Sequence, residues 1–252
     1  MSEIAIRRMR KGEKHLGAWL SIGSPVIAEL ASLYPFDWML FDLEHGCGNE
    51  ASLLSNLQAV KNDNLALIVR PGQLYPALIS RILDWGASGI MMPHVNTKEQ
   101  ALDCLQAMQY PPLGKRGYSS SARVYNFGVR QQQYDHVYER PLFFAQIETE
   151  VGVKNANEIA GVEGVDVLFV GPADLRLDMA ANGNMADDKF KSAIENVVRS
   201  ATSNHKQVGI VAKSPEEVKF YLSLGITCIS YASDLIFLKQ GFQYVMDSFL
   251  KV

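Results

Sequence analysis

Eight short apolar runs, each followed by a longer stretch with helical spacing, limit what this chain can fold into more than any other feature. They read "LGAWLSI", "WMLFDLEH", "LALIVRP", "GIMMPHV", "LFFAQIET", "VDVLFVGP", "QVGIVAK" and "CISYAS". Continuous apolar runs, as opposed to alternating ones, suit parallel strands covered on both faces. Among the intervening stretches, "SPVIAELASLY" places Pro25 at a helix start behind Ser24 as a cap. "LYPALISRILDWGA" sets Leu78, Ile82 and Leu83 on one face and ends near Gly86. "NTKEQALDCLQAMQY" opens on a capping signature at Asn96 or Thr97, and "SPEEVKFYLSLG" closes on Gly225. Strands alternating with helices predict an α/β protein, a TIM-type (β/α)8 barrel formed as a single domain over residues 1–252. A doubly wound open sheet is the alternative.

At 252 residues and 48% hydrophobic, the chain can bury one large core. The net charge of -3 and the absence of a basic stripe argue against a nucleic-acid partner. No apolar stretch reaches the roughly 20 residues of a membrane span. The opening "MSEIAIRRMRKGEKHLG" lacks the apolar run of a signal peptide. Cys47, Cys104 and Cys228 are odd in number and far apart, which disfavours a disulfide framework or a cysteine-zinc site and suits a reducing cytoplasm. Cys47 reads as a small loop residue more than a nucleophile, since no pairing with a local base is evident in the sequence. The longest irregular segment, residues 110–141, is expected to be a loop with a short helix, serving as an active-site lid or an interface element.

In a barrel of this kind chemistry gathers at the carboxyl ends of the strands. Polar residues fall there in this sequence: Asp42, Glu44 and His45; Arg70; His94; Gln146 and Glu148; Asp174 in "GPAD"; Lys213; and Asp234. Glu148 and Asp174, from neighbouring strand ends, could clamp a Mg²⁺ or Mn²⁺ ion. Alternatively, each caps the helix that follows it. His45 differs from His15, His136 and His205, which read as structural, because carboxylates beside it would raise its basicity and fix its tautomer. His94, after Pro93, reads as pocket wall. Arg70 needs an anion if buried: Glu44 in a structural bridge, a substrate, or a developing oxyanion. Lys213 on a barrel strand suits a Schiff base, but Ser214 and Pro215 start a helix there, which favours a solvated rim lysine.

Taken in series, "FDWMLFDLEHG", "LIVRPG", "ILDWGASGIMMPHV", "YPPLGKRGY", "AQIETEVGVKNANEIAGVEGVDVLFVGPADL" and "GITCIS" resemble the HpcH/HpaI family of pyruvate-dependent class II aldolases over nearly the whole chain. That family includes 4-hydroxy-2-oxoheptane-1,7-dioate aldolase and 2-keto-3-deoxy-sugar-acid aldolases. The resemblance implies a barrel assembling as a homo-oligomer, commonly a hexamer, with the last helix exchanged between neighbours. It implies a Mg²⁺, Mn²⁺ or Co²⁺ ion on Glu148 and Asp174, and pyruvate chelating that ion while touching Gln146 and the backbone at Ala173. His45 is then the base and Arg70 stabilises the enolate oxygen. Asp84 matches the acid that increases the basicity of that histidine, and Asp42 belongs to the same polar network. Asp84 itself falls late in a helix and not on the rim, so it meets His45 by a helix-end approach or from a neighbouring subunit. The chain departs from the family pattern at "EHGCGN", where many members read "EHAPN", and at Arg176, where many have serine. These departures leave the aldehyde partner open. The expected reaction is reversible cleavage of a 4-hydroxy-2-oxo acid to pyruvate and an aldehyde. The alternatives are a lyase of citryl or malyl thioesters, an enzyme acting on phosphoenolpyruvate, and a non-catalytic ligand-binding barrel.

Overall fold

The computed structural model describes residues 3–129 and 140–250. Its strands are β1 (His15–Leu20), β2 (Trp38–Asp42), β3 (Ala66–Arg70), β4 (Gly89–Met92), β5 (Leu142–Ile147), β6 (Val167–Val170), β7 (Gln207–Ala212) and β8 (Cys228–Ser233). All pair parallel in sequence order, and β8 returns to β1 to close the barrel. The TIM-type reading therefore holds and the open sheet does not. The outer helices are α2 (Pro25–Ser32), α3 (Glu50–Ala59), α4 (Pro76–Asp84), α5 (Lys98–Met108), α6 (Glu150–Lys154), α7 (Ala156–Ala160), α8 (Pro172–Ala181), α9 (Asp187–Ser203), α10 (Pro215–Ser223) and α11 (Asp234–Phe249). Among the described residues, no helix is long and apolar enough to cross a membrane.

Local sequence explains most helix starts. Thr97, not Asn96, caps α5 in a reciprocal box with Gln100. Ser214 accepts from the Glu217 N–H to cap α10. Ser24 occupies the cap position of α2, but its hydroxyl makes no capping bond; Pro25 at the first helical position sets that start instead. Gly86 and Gly225 follow α4 and α10 at positive φ, as helix stops require.

Side chains pack in two layers. The outer core lies between barrel and helices, and an inner one fills the barrel with Trp38, Leu40, Ile68, Phe144 and Phe169. The floor of the inner core is α1 (Glu3–Met9), whose Ala5, Ile6 and Met9 join it. The sequence reading missed this helix because its seven residues carry too few apolar positions to show a helical period. Arg8 and Arg10 hold it to Asp37 and Asp166 beside the strand starts. So α1 closes the amino end and leaves the carboxyl end open.

The long irregular segment over residues 110–141 is only partly described, since residues 130–139, including His136, lie outside the described residues. Its described part leaves α5, forms a 3₁₀ turn at Arg123–Gly128 and packs against the end of α4. Arg123 donates to the Trp85 carbonyl, and the Tyr125 hydroxyl to that of Tyr110. A connection from a helix to the next strand lies at the amino face, so this part does not cover its own barrel's rim; the interface role remains open to it.

Two outcomes follow. A Cβ built on Gly17 would overlap the ring of buried Trp38, while one on Gly241 meets nothing. Gly17→Ala should cost about 1–3 kcal/mol in denaturant unfolding, whereas Gly241→Ala should be neutral or stabilising. His15 is buried, its Nδ1 lies 4.0 Å from Asp37 Oδ2, and neither ring nitrogen has a hydrogen-bond partner among the described residues. Burial lowers its pKa below 6.5, against the pull of Asp37. The unfolded chain therefore takes up this proton first. The contribution is full above pH 6.5 and is lost as pH falls toward the folded value. Unfolding measured from pH 7.5 to 5.5 should show a smaller loss in His15→Gln than in the parent.

Candidate active site

The strand register brings the first elements together. Asp42 ends β2 directly beside Arg70 at the end of β3. Both are buried, and their side chains meet in a two-pronged pair, Arg70 Nε to Asp42 Oδ1 at 3.0 Å and Nη2 to Oδ2 at 2.7 Å. Asp42 also accepts from Trp19 Nε1 at 3.2 Å and from the backbone N–H groups of Glu44 and His45 at 3.0 and 3.3 Å. Its pKa is lowered: burial acts to raise it, but Arg70 and the Glu44 and His45 backbone N–H groups prevail. The Arg70 guanidinium stacks 4.7 Å from the Trp19 ring. Its Nη1 lies 2.9 Å from Glu44 Oε2 and 3.5 Å from Gln146 Oε1. The anions that a buried Arg70 needs are thus Asp42 and Glu44 together.

Glu148 follows β5 and is buried. Its Oε1 accepts from the His94 backbone N–H at 2.7 Å and lies 3.0 Å from His94 Nδ1, and its Oε2 accepts from Gln146 Nε2. Burial raises its pKa; His94 opposes this, and the nearby carboxylates Asp174 and Glu44 add to it. Glu44 is raised too, by burial against the pull of Arg70. Asp174 stands half-buried in the first turn of α8, after Gly171 and Pro172.

The capping alternative for these two carboxylates fails. Thr149 caps α6, through the Gly152 N–H, and the cap position of α8 is Gly171. Among the described residues Asp174 has no hydrogen-bond or ion-pair partner. A Cβ on Gly171 would stand 2.5 Å from Glu148 Oε2 and 2.9 Å from Gln146 Nε2, so glycine there leaves the Glu148 carboxylate its room. Four carboxylates, Asp42, Glu44, Glu148 and Asp174, share this mouth with one guanidinium. Among the described residues no group of three His, Cys, Asp or Glu side chains forms a closed metal cage. Glu148 and Asp174 instead stand near each other as two carboxylates, an all-oxygen pair of the kind that suits a hard dication completed by water and substrate.

His45 is 65% exposed at its side chain, with Nε2 3.9 Å from Glu44 Oε2. Its neighbour is therefore Glu44; Asp42 instead fixes the backbone turn that carries the ring. Ala173 is exposed at the start of α8, beside Asp174. Asp84 is not brought to the rim. It ends α4, near the amino end of β4, where buried Arg116 holds it at 2.5 Å. Lys213 is an exposed residue past the end of β7, so its ammonium is not desolvated as a Schiff-base lysine requires. Asp234 is buried and takes the backbone N–H groups of Ser21, Ile22 and Leu235, a structural task.

Sequence reading undervalued two residues. His94 adopts φ 53° and spans the site, its Nε2 3.7 Å from Glu44 Oε1. The signal was a polar residue after proline at a strand end. Trp19 holds both Asp42 and Arg70, and nothing in an apolar run marks one tryptophan as polar support.

A family model described as HpcH/HpaI aldolase/citrate lyase matches residues 15–240. The chain belongs to that family. It is 36% identical to the 5-keto-4-deoxy-D-glucarate aldolase of Escherichia fergusonii, over 94% of this chain and 92% of that one. It is 34% identical to a hydroxypyruvate/pyruvate aldolase of Pseudomonas aeruginosa, over 96% and 91%. A solved HpcH/HpaI aldolase/citrate lyase family protein from Burkholderia cenocepacia superimposes with a TM-score of 0.91 at 27% identity, over 98% and 99%. The chain is thus a class II aldolase, a carbon–carbon lyase of a family that typically depends on a divalent metal ion.

Asp42→Asn would remove a buried charge from a paired guanidinium. With Glu44 still beside Nη1, the expected loss is about 3 kcal/mol of unfolding free energy. A change below about 0.5 kcal/mol in urea unfolding would show that Glu44 alone satisfies Arg70.

Proposed function

We propose that this aldolase reversibly cleaves a 4-hydroxy-2-oxo acid to pyruvate and an aldehyde, with Glu148 and Asp174 holding a Mg²⁺, Mn²⁺ or Co²⁺ ion. The observation that carries this reading is the pair of carboxylates released from capping in a mouth with excess negative charge. When bound, such an ion polarises the keto oxygen of the substrate and neutralises charge that develops there. Gln146, fixed between Arg70 and Glu148, orients the 2-oxo acid, and the Ala173 backbone at the start of α8 meets its carboxylate. Arg70 faces the keto oxygen, and its two carboxylate partners keep the guanidinium in place as negative charge develops. His45, open to solvent beside Glu44, accepts the proton of the C4 hydroxyl while the C3–C4 bond breaks. Run in reverse, the same groups remove a methyl proton from pyruvate and add the carbon to an aldehyde.

The alternative on citryl or malyl thioesters shares this fold and mouth, and no observation favours it. A non-catalytic barrel would not need four carboxylates around one guanidinium.

We also assign Asp84 to the histidine of a neighbouring subunit, because its own barrel puts it at the opposite end from His45. A homo-oligomer, with the hexamer as the expected form, agrees with α11. Phe242, Tyr244, Val245, Met246 and Phe249 are all more than half exposed on that helix, and Asp234 is its one buried residue. Exchange of α11 between subunits would cover this surface. The three free cysteines agree with a reducing cytoplasm.

The test is deuterium exchange into the methyl group of pyruvate in chelator-treated protein. Exchange should require added Mn²⁺, fall more than about 100-fold in Glu148→Gln, as loss of a metal ligand in its catalytic role demands, and slow in His45→Ala without matching loss of pyruvate binding. Full exchange without any dication would refute the reading.

A further inference from the structure

Asp174 and Asp178 stand one turn apart on α8, so they share a face of the helix, about 6 Å from each other along its axis. Asp174 acts on Glu148 as a nearby like charge. Asp178 meets the same segment two residues further on: its Oδ2 accepts the Glu150 backbone N–H at 2.7 Å, in a partly buried bond. Glu150 opens α6, and this N–H is one that a helix start leaves without an internal partner. Thr149 serves the Gly152 N–H at the same start, and Asp178 serves the Glu150 N–H from a different helix.

Asp174 therefore sits between two ties that join α8 to the β5–α6 corner. The first is at the helix start, where the Gly171 N–H donates to the Ile147 carbonyl at 3.1 Å. The second is Asp178. The Glu150 side chain reinforces it by accepting Asn184 Nδ2 at 2.6 Å, from the turn after α8. On its other side the corner is fixed by Asn96, which accepts the Thr149 hydroxyl at its side-chain oxygen and the Asn155 amide at its backbone carbonyl. Leu175 and Met179 bury α8 against the core, but apolar burial is not directional. With the Gly171 tie alone, α8 could swing about its start. The like charges of Glu148 and Asp174 would then push it outward until a cation joined them.

We propose that Asp178 is a positioning residue: its bond to the Glu150 N–H sets the gap between Glu148 and Asp174 before an ion arrives. The claim rests on the metal reading above and deepens it. Asp178 acts through α8 and touches neither ion nor substrate. Its carboxylate serves as an acceptor at a fixed reach, so an amide oxygen at the same reach would serve as well.

The test titrates Mn²⁺ into chelator-treated full-length protein and reads the free ion by electron paramagnetic resonance. Urea unfolding of the metal-free protein shows that each variant is folded. The parent should bind Mn²⁺, and Glu148→Gln should lose most of that affinity. Asp178→Ala should weaken binding about 10–100-fold, the usual cost of losing a group that orients metal ligands. Asp178→Asn keeps the reach and the acceptor and should stay near the parent. Asp178→Glu keeps the charge but lengthens the reach by a methylene group, and should weaken binding as alanine does. In Asp178→Ala the Mn²⁺ concentration for half-maximal methyl exchange of pyruvate should rise, while the rate at saturating Mn²⁺ stays near the parent's. A merely structural loss would lower the rate at saturation instead. Unchanged affinity in Asp178→Ala would overturn the proposal. So would loss in Asp178→Asn with none in Asp178→Glu, since charge alone would then explain the effect. Should Asp178→Ala fail to fold, the contrast between Asn and Glu decides. If Glu148→Gln binds Mn²⁺ as the parent does, the metal reading itself fails; if binding needs Glu148 but ignores Asp178, only the positioning claim is wrong.

Discussion

Negative charge crowded into one barrel mouth is the constraint from which the rest of this site follows. Asp42 and Glu44 are already committed to Arg70, and Asp42 is committed further by Trp19 and two backbone N–H groups. Glu148 is met by His94 at one oxygen and Gln146 at the other, with a second carboxylate, Asp174, close enough to disfavour its ionisation. A carboxylate in that position either takes a proton or meets a cation. On the proposed reading, a divalent ion held by Glu148 and Asp174 would neutralise that excess and leave room for a 2-oxo acid. The same charge that makes the mouth costly to build would hold the cation that polarises a carbonyl.

The two ends of the barrel carry separate tasks. The amino end is closed by α1 and clamped by Arg8 and Arg10, which keeps the inner core of Trp38, Phe144 and Phe169 dry. The carboxyl end can then hold polar groups on short strand extensions without exposing that core. Asp84 and Arg116 belong to the closed end, alongside the described part of the long α5–β5 connection. Their pairing is a property of one chain; the proposed contact of Asp84 with His45 would need a second one. The proposed exchange of α11 would cover its exposed apolar surface.

Fold and site were legible to different depths. Every strand could be read because parallel strands buried on both faces appear as unbroken apolar runs, and closure followed from their strict alternation with helices. The helix α1 was invisible, since seven residues holding two arginines and a glutamate show no period; its burial comes from the barrel floor it meets. Glu148, Asp174, Arg70 and His45 could be singled out because polar residues at the ends of apolar runs are costly without a task. The partner of each was less legible. Sequence spacing set Asp42 and Glu44 alike as carboxylates near His45, whereas the strand register gives Asp42 to Arg70 and leaves Glu44 nearest the imidazole. The tie from Asp178 to the Glu150 N–H could not be read at all, because it joins residues 28 apart on two different helices.

The most direct measurement is crystallographic: anomalous scattering from Mn²⁺ in crystals soaked with the ion and pyruvate. The account predicts one strong peak at bonding distance from a carboxylate oxygen of Glu148 and one of Asp174, with both pyruvate oxygen donors completing the same coordination sphere. A peak away from these two side chains, or pyruvate bound with no ion beside it, would contradict it.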